Sequence, residues 1–395
     1  MIKNITEKIK YIGVDHTDID LFESQYVVPN GVSYNSYLIL DEKVAIMDTV
    51  DPRKSEEWMA NLDAALEGRT PDYLVVQHLE PDHAGTIDKV LEKYPAMQVV
   101  ASDKAVKMMP QFFFTTRFEG RVIGVKEGGS LSLGGRTLHF VMAPMVHWPE
   151  VMVSYDSTDK VLFSADGFGK FGALCHEEEW ACEARRYYFN ICGKYGAPVQ
   201  TLLKKAATLD IKIICPLHGP VLTENLGYYL NLYDMWSSYT PEVDGVLVAY
   251  ASIHGNTGEA AKKFADILRA KGVSNVAVMD LAREDMSEAV EAAFMYSKLV
   301  VAAASYDSDV FPPMHDFLHH LAIKNYCNRR IGIIENGSWA PSAGRAMRNI
   351  IDRFKGVEVI EDVVTIMSRL KPEDVPALER LADEIINEKC DRCVE

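Results

Sequence analysis

The sequence predicts two α/β units in tandem: an αβ sandwich with mixed sheets, then a doubly wound parallel sheet. Three observations carry this reading. The chain has 395 residues, 48% of them apolar, while an ordinary domain runs to roughly 150 residues. Up to about Tyr239, strand-like runs joined by short connections dominate. Beyond Pro241, strand and helix patterns alternate strictly. Thr240-Pro241 interrupts a helix-like stretch, which sets the units at 1–243 and 244–395.

In the first unit, residues 37–40, 44–47, 73–76, 99–101, 137–142, 151–155, 161–163 and 211–215 are apolar or β-branched runs. Most are bounded by Gly, Pro, Asp or Asn, as strands are. Helical periodicity appears at 54–66, 87–93 and 195–209. In the second unit, strands are expected at 245–251, 276–279, 299–304, 331–335 and 357–360, the last reaching toward 366. Each leads to a helix, at 257–271, 287–295, 312–322, 343–354 and 372–389. Five βα units make a five-stranded doubly wound sheet.

The net charge of −16, from 41 Lys+Arg against 57 Asp+Glu, argues against sequence-independent nucleic-acid binding, which needs a basic footprint. No apolar run approaches the roughly 20 residues of a membrane helix. The first residues carry no signal-peptide pattern. Seven cysteines do not form a disulfide framework and read as thiols in a reducing cytoplasm. A cytoplasmic protein with no nucleic-acid or membrane partner is expected. Cys390-x-x-Cys393 is read as a tail dithiol or coincidence, because a rubredoxin-type iron needs two such pairs.

The densest chemistry is His78-Leu79-Glu80-Pro81-Asp82-His83, directly after a strand and before a helix. Four potential ligands within six residues can converge where a Pro-containing turn curls the backbone around a point. His147, Asp166 and His218 each sit just past the end of another buried strand. Together these residues supply four imidazoles and three carboxylates, which suits two metals sharing a bridging carboxylate. A donor set without thiolate excludes an iron–sulfur site and is open to zinc, iron or manganese. His16, His139, His176, His315, His319 and His320 show no such pattern.

Ser252-Ile253-His254-Gly255-Asn256-Thr257 joins the first strand of the second unit to its first helix. Backbone amides and hydroxyls at a helix N-terminus cradle a phosphate. A dinucleotide is disfavoured, because there is no Gly-x-Gly-x-x-Gly. The unit resembles flavodoxin-like domains, which hold the flavin ring with loops after the third and fourth strands. Here those loops are Ser305-Tyr306-Asp307-Ser308 and Asn336-Gly337-Ser338-Trp339-Ala340, with Tyr306 and Trp339 placed to flank the ring of an FMN.

The first unit resembles the metallo-β-lactamase superfamily, with Glu80 where its hydrolases usually carry a second His. His-x-Glu-x-Asp-His followed by His-Trp-Pro and Leu-His-Gly resembles the flavodiiron proteins, and that resemblance spans essentially the whole chain. It implies that His78, Glu80 and His147 hold one iron, that Asp82, His83 and His218 hold the other, and that Asp166 bridges them. It further implies electron transfer through FMN, with reduction of dioxygen to water, of nitric oxide to nitrous oxide, or both. The donor would be a rubredoxin, a flavin reductase or a reduced deazaflavin. A head-to-tail homodimer, or a dimer of dimers, would set the flavin of one chain beside the diiron site of the other, with Trp148 lining that contact. Tyr188 or Tyr195 would offer a hydroxyl near the irons. Two departures from the family pattern concern the flavin: Ser-Tyr-Asp-Ser replaces the usual Ser-Pro-Thr-x-Asn, and Ala340-Pro341 replaces a Gly pair. The competing reading is a zinc hydrolase of the β-lactamase type with an accessory flavodoxin-like domain.

Overall fold

Tyr37–Leu40 and Val44–Met47 are buried at every residue, so both faces of the sheet they belong to must be covered. In this computed structural model, which describes residues 2–387, the covering layers are visible. The inner face presents Tyr37, Ile39, Ala45, Met47, Val75 and Val100 to Leu138, Phe140, Met152, Val161 and Phe163 of a second sheet. Phe140 and Phe163 are fully buried, and each such side chain contributes about 1.5–3 kcal/mol relative to exposure. The alternate residues Leu38, Ile46 and Leu74 are equally buried, and the helix Ser55–Leu66 packs against Tyr37–Leu40. This is an αβ sandwich.

Among the described residues the first sheet has seven strands, in the order Lys3–Asn4, Ile9–Tyr11, Tyr37–Leu40, Val44–Met47, Tyr73–Val76, Gln98–Ser102 and Val122–Val125. The last four are mutually parallel. The second sheet runs Ser130–Ser132, Thr137–Met142, Met152–Asp156, Val161–Phe163, Ile213–Cys215. Met152–Asp156 is antiparallel to both of its neighbours, and Ile213–Cys215 is parallel to Val161–Phe163. Thr137–Met142, Val161–Phe163 and Ile213–Cys215 therefore end at one edge, which delivers the loops carrying His147, Asp166 and His218 to one place.

The second unit is a parallel sheet in the order Val276–Asp280, Val243–Ala251, Tyr296–Tyr306, Arg330–Asn336, then the fifth strand. In chain order this is 2-1-3-4-5, the flavodoxin-like arrangement, with its topological switch point between the first and third strands. The fifth strand departs from expectation. It forms two short pieces, Glu358–Val359 and Val364–Ile366, both pairing with Arg330–Asn336. Residues 360–363 leave the ladder between them, where Glu361-Asp362 supplies two poor strand formers. The expected helix at 372–389 is a short 3-10 turn, Pro372–Asp374, followed by Val375–Ile386; Pro376 lies in the first turn, where its missing donor costs nothing.

Internal contacts divide the chain into two compact units. One holds the residues up to Tyr188 with Ala197–Asp234, the other Phe189–Gly196 with the residues from Met235 on. No helix among the described residues is long and apolar enough to cross a membrane. Cys390 and Cys393 lie outside the described residues.

Candidate functional site

Tyr73–Val76 runs into His78, and the turn Pro81–Ala84 brings Asp82 and His83 back toward it. Proline at the start of that turn fixes φ without wasting a donor. The result is two contiguous groups of side chains, His78, Glu80, His147 and Asp166 in one, Asp82, His83 and His218 in the other. All seven residues singled out in the sequence are in this cluster.

The spacing is that of a coordination shell. His78 Nε2 lies 3.1 Å from Glu80 Oε2 and 3.3 Å from Asp166 Oδ2. His147 Nε2 lies 2.9 and 3.3 Å from the same two oxygens. The other carboxylate oxygen, Asp166 Oδ1, stands 3.3 Å from His83 Nε2 and 3.8 Å from His218 Nε2, while Asp82 Oδ2 is 3.2 Å from each of those nitrogens. Ligand atoms held at about 2.1 Å from one metal stand about 3.0–3.4 Å apart. Asp166 thus turns one oxygen to each group, as a bridging carboxylate does.

Without a cation these contacts are poor. His83 Nε2 and His218 Nε2 face each other at 3.1 Å, the separation of two ligand atoms turned toward one cation. Among the described residues, neither oxygen of Asp82 or of Asp166 is hydrogen-bonded. Buried carboxylates left in that state are costly, so the residues present fit a pair of metal cations. The chemistry of the donors, imidazole and carboxylate without thiolate, fits iron, zinc or manganese.

The titration behaviour has the same origin. Burial would lower His78, but the Asp166, Glu150 and Glu80 carboxylates outweigh it and hold its pKa well above the ordinary value. His147 is raised to about 9 against its own burial by Asp166 and Glu80. Burial pushes Asp82 up to about 7. Burial would also raise Asp166 and Glu80, yet the surrounding imidazoles hold both low, while burial lowers His218. Protons therefore occupy His78 and His147 at neutral pH, and a metal must displace them. Titration calorimetry in buffers of different ionisation enthalpy should show proton release on metal binding, with affinity rising as pH increases toward about 9. A metal affinity flat from pH 6 to 9 would rule out His147 as a ligand that must first lose its proton.

Several groups that support this cluster escaped the sequence reading. Glu150 Oε1 accepts from Leu79 N at 2.9 Å and lies 2.8 Å from His78 Nδ1. That contact fixes the ring and leaves Nε2 facing the cluster. The Ser33 carbonyl does the same for His218 Nδ1 at 2.7 Å. Buried Asp48 accepts from Gln77 N and Gln77 Nε2, bracing the strand end before His78. Glu23 is pushed up to about 7 by desolvation and by adjacent Glu80. Trp148 packs edge-on to His78, with ring centroids 5.1 Å apart. The tyrosine rings against His218 are Tyr187, at 5.4 Å, and Tyr34, at 6.0 Å; Tyr188 packs on Tyr233 instead. Glu150 had a sequence signal, lying three residues beyond His147, whereas a carbonyl has none.

In the second unit, a cavity of about 570 Å³ opens at the switch point of the sheet, within the range of cofactor pockets. The phosphate-loop residues Ser252, Ile253, His254, Asn256 and Thr257 line it, as do Ser305, Tyr306 and Asp307 and all of Asn336 to Ala340. Gly255 adopts φ +95°, and a Cβ there would meet nothing within 4 Å. The cradle is open above the N-terminus of the helix Asn256–Ala270, so the residues fit a phosphate-bearing ligand. Tyr306 is 46% and Trp339 90% exposed, leaving both rings free to stack.

The unusual loops have local explanations. Tyr306 pairs with Asp309 across a two-residue turn, with Asp307 at φ 50° and Ser308 at φ 61°. Two successive left-handed residues make a type I′ hairpin, where Asp is favoured. Ser305 Oγ accepts from Ser342 N at 2.8 Å and Ala343 N at 3.1 Å, capping the helix Ala343–Ile351. Ser368, which the sequence reading passed over, also lines the cavity and meets Ser338 Oγ at 2.5 Å.

Comparison with known proteins sets this geometry in context. A family model described as ODP family beta lactamase matches residues 32–219. The anaerobic nitric oxide reductase flavorubredoxin of Aliivibrio fischeri is 27% identical over 396 residues, covering 94% of this chain and 76% of that protein. The solved structure of rubredoxin oxygen:oxidoreductase from Desulfovibrio gigas superposes with TM-score 0.91 at 24% identity over 98% of both chains. The flavodiiron protein of Giardia intestinalis does so with TM-score 0.89 at 21% identity, over 98% of this chain and 96% of that one. The chain has the fold of these two solved structures. Both halves of that fold are present, the β-lactamase-like sandwich and the flavodoxin-like sheet, each with its candidate site at the carboxyl ends of its strands.

Proposed function

We propose that the chain is a cytoplasmic flavodiiron oxidoreductase that passes electrons from a reduced carrier through FMN to a nonsulfur diiron site, reducing dioxygen to water, nitric oxide to nitrous oxide, or both. The observation that carries this reading is Asp166 turned between two ligand groups, one of which contains the carboxylate Glu80. His78, Glu80 and His147 would hold one iron, Asp82, His83 and His218 the other, with Asp166 shared. Glu150 and the Ser33 carbonyl orient two of the imidazoles. The flavin would lie in the cavity of the second unit, its phosphate on 252–257 and its ring between Tyr306 and Trp339. When bound, FMN supplies electrons singly or in pairs, and iron supplies redox chemistry with open positions for a small ligand. A metal domain over 1–243 and a flavin domain over 244–395 divide that labour. The donor would be a rubredoxin-type protein, a flavin reductase or a reduced deazaflavin, and the working assembly a head-to-tail homodimer or a pair of them.

The test is metal and flavin content after anaerobic purification. Two irons and one FMN per chain are expected, with gas consumption once a reduced donor is supplied. Two zincs that persist after expression in iron-rich medium, with no gas consumption, would replace this reading by a β-lactamase-type hydrolase.

A further inference from the structure

We propose that a small apolar cavity behind the metal cluster is a docking site for the neutral diatomic gas on its way to that cluster. The inference rests on the gas-reductase reading above and adds a route to it. The cavity lies within the first unit and has about 20 Å³ of free volume. One water-sized guest needs roughly 10–15 Å³, so a single diatomic molecule fits.

The placement is informative. Val146 lines the cavity and directly precedes His147, while Ser164 and Gly167, also in its wall, bracket Asp166. The cavity therefore backs onto two of the strand-end loops that carry proposed ligands. Its deep walls, Val146, Val153, Leu162 and Val199, are buried, whereas Leu202, Leu203 and Ala206 on the helix Gly196–Ala206 are only half-buried. The cavity thus lies between the helix Gly196–Ala206 and the strand-end loops of the cluster.

The lining selects the class of guest. Two polar side chains reach the cavity, and both are engaged. Ser164 Oγ donates to the Gly167 carbonyl at 2.6 Å, and Tyr233 Oη accepts from Phe168 N at 2.6 Å. A buried water needs two to four polar partners, and apolar cavities without them stay dry and take up xenon or similar guests. Dispersion contacts with the surrounding methyl groups favour a neutral diatomic there over water. An anion or a hydrated cation finds no compensation in the same space.

The experiment pairs xenon binding with gas kinetics on the metal- and flavin-loaded protein. Xenon should occupy the cavity in pressurised crystals. Ala206→Phe, at the half-buried rim, should abolish that occupancy and raise KM for the gas several-fold while leaving kcat unchanged. Leu203→Ala, which enlarges the space, should increase xenon occupancy without raising KM. Wild-type metal and flavin contents establish that the variants are folded and loaded. Ordered water in the cavity, no xenon in a protein that consumes gas, or an unchanged KM in Ala206→Phe with xenon lost overturns the docking site alone. A wild-type protein that binds xenon but consumes neither gas overturns the reductase reading, and the proposal with it.

Discussion

Replacing Asp166 by Ala is expected to cause the largest single loss: both metals should leave the cluster, and gas turnover should fall by more than two orders of magnitude. The reason is electrostatic. Two divalent cations about 3.5–4 Å apart repel by roughly 15–20 kcal/mol at an effective dielectric of about 20. The carboxylate between them is the group best placed to offset this, because Asp166 Oδ2 faces His78 and His147 while Oδ1 faces His83 and His218. Alanine leaves two three-residue half-sites with no shared anion. His83→Ala should be milder for metal retention, since it strips one ligand from one half-site only. In both variants flavin should stay bound, because the loops expected to hold it belong to the other unit. Metal analysis together with flavin absorbance and gas-electrode rates reads all three quantities. Full metal content with normal turnover in Asp166→Ala would sink the shared-site assignment.

The grouping of the seven side chains was legible in the sequence because four of them, His78, His147, Asp166 and His218, come in the loop just past an apolar run. A strand that ends at the open edge of a sandwich delivers its next residues to that edge, so His78, His147, Asp166 and His218 could be grouped before any contact was known. The sequence says nothing, however, about which carbonyl or carboxylate stands behind a ligand. Glu150 reaches His78 only because the loop after Thr137–Met142 folds over the end of Tyr73–Val76, a packing between two sheets rather than a spacing along one. The same limit hid Asp48, which acts across neighbouring parallel strands.

In the second unit the alternation of strands and helices pointed to a doubly wound parallel sheet, and the resemblance to flavodoxin-like domains named the loops after its third and fourth strands. What it did not settle was the far edge of the sheet. The fifth strand pairs on one side only, so a short unfavourable run such as Glu361-Asp362 can leave the ladder without breaking the core, and the strand divides. Ser368 reaches the cavity because Val364–Ile366 resumes pairing opposite Ile334–Asn336 and carries the following loop beside Ser338. The departures at Asp307 and Pro341 have similarly local causes, a tight hairpin and a capped helix, and neither removes a residue of the phosphate loop.

That loop is where the second large effect is expected. Thr257→Ala should weaken FMN binding by about 10- to 150-fold, equivalent to about 1.5–3 kcal/mol for a hydrogen bond to a charged group. Thr257 is 2% exposed, lies in the first turn of the helix Asn256–Ala270 and lines the cavity, so it stands at the helix start where a phosphate would sit. Ser252 makes a useful contrast. Its Oγ already accepts from Gly255 N at 3.0 Å, so Ser252→Ala should act mainly by loosening the turn. Thr257→Ser keeps the hydroxyl and should restore most of the affinity, which separates a lost hydrogen bond from a disturbed helix start. Flavin fluorescence on titration of the flavin-free chain measures each dissociation constant, while metal content serves as the internal control. An unchanged constant in Thr257→Ala would move the phosphate elsewhere in the cavity. A constant weakened equally in the Ser and Ala variants would point to packing under the helix rather than to the hydroxyl.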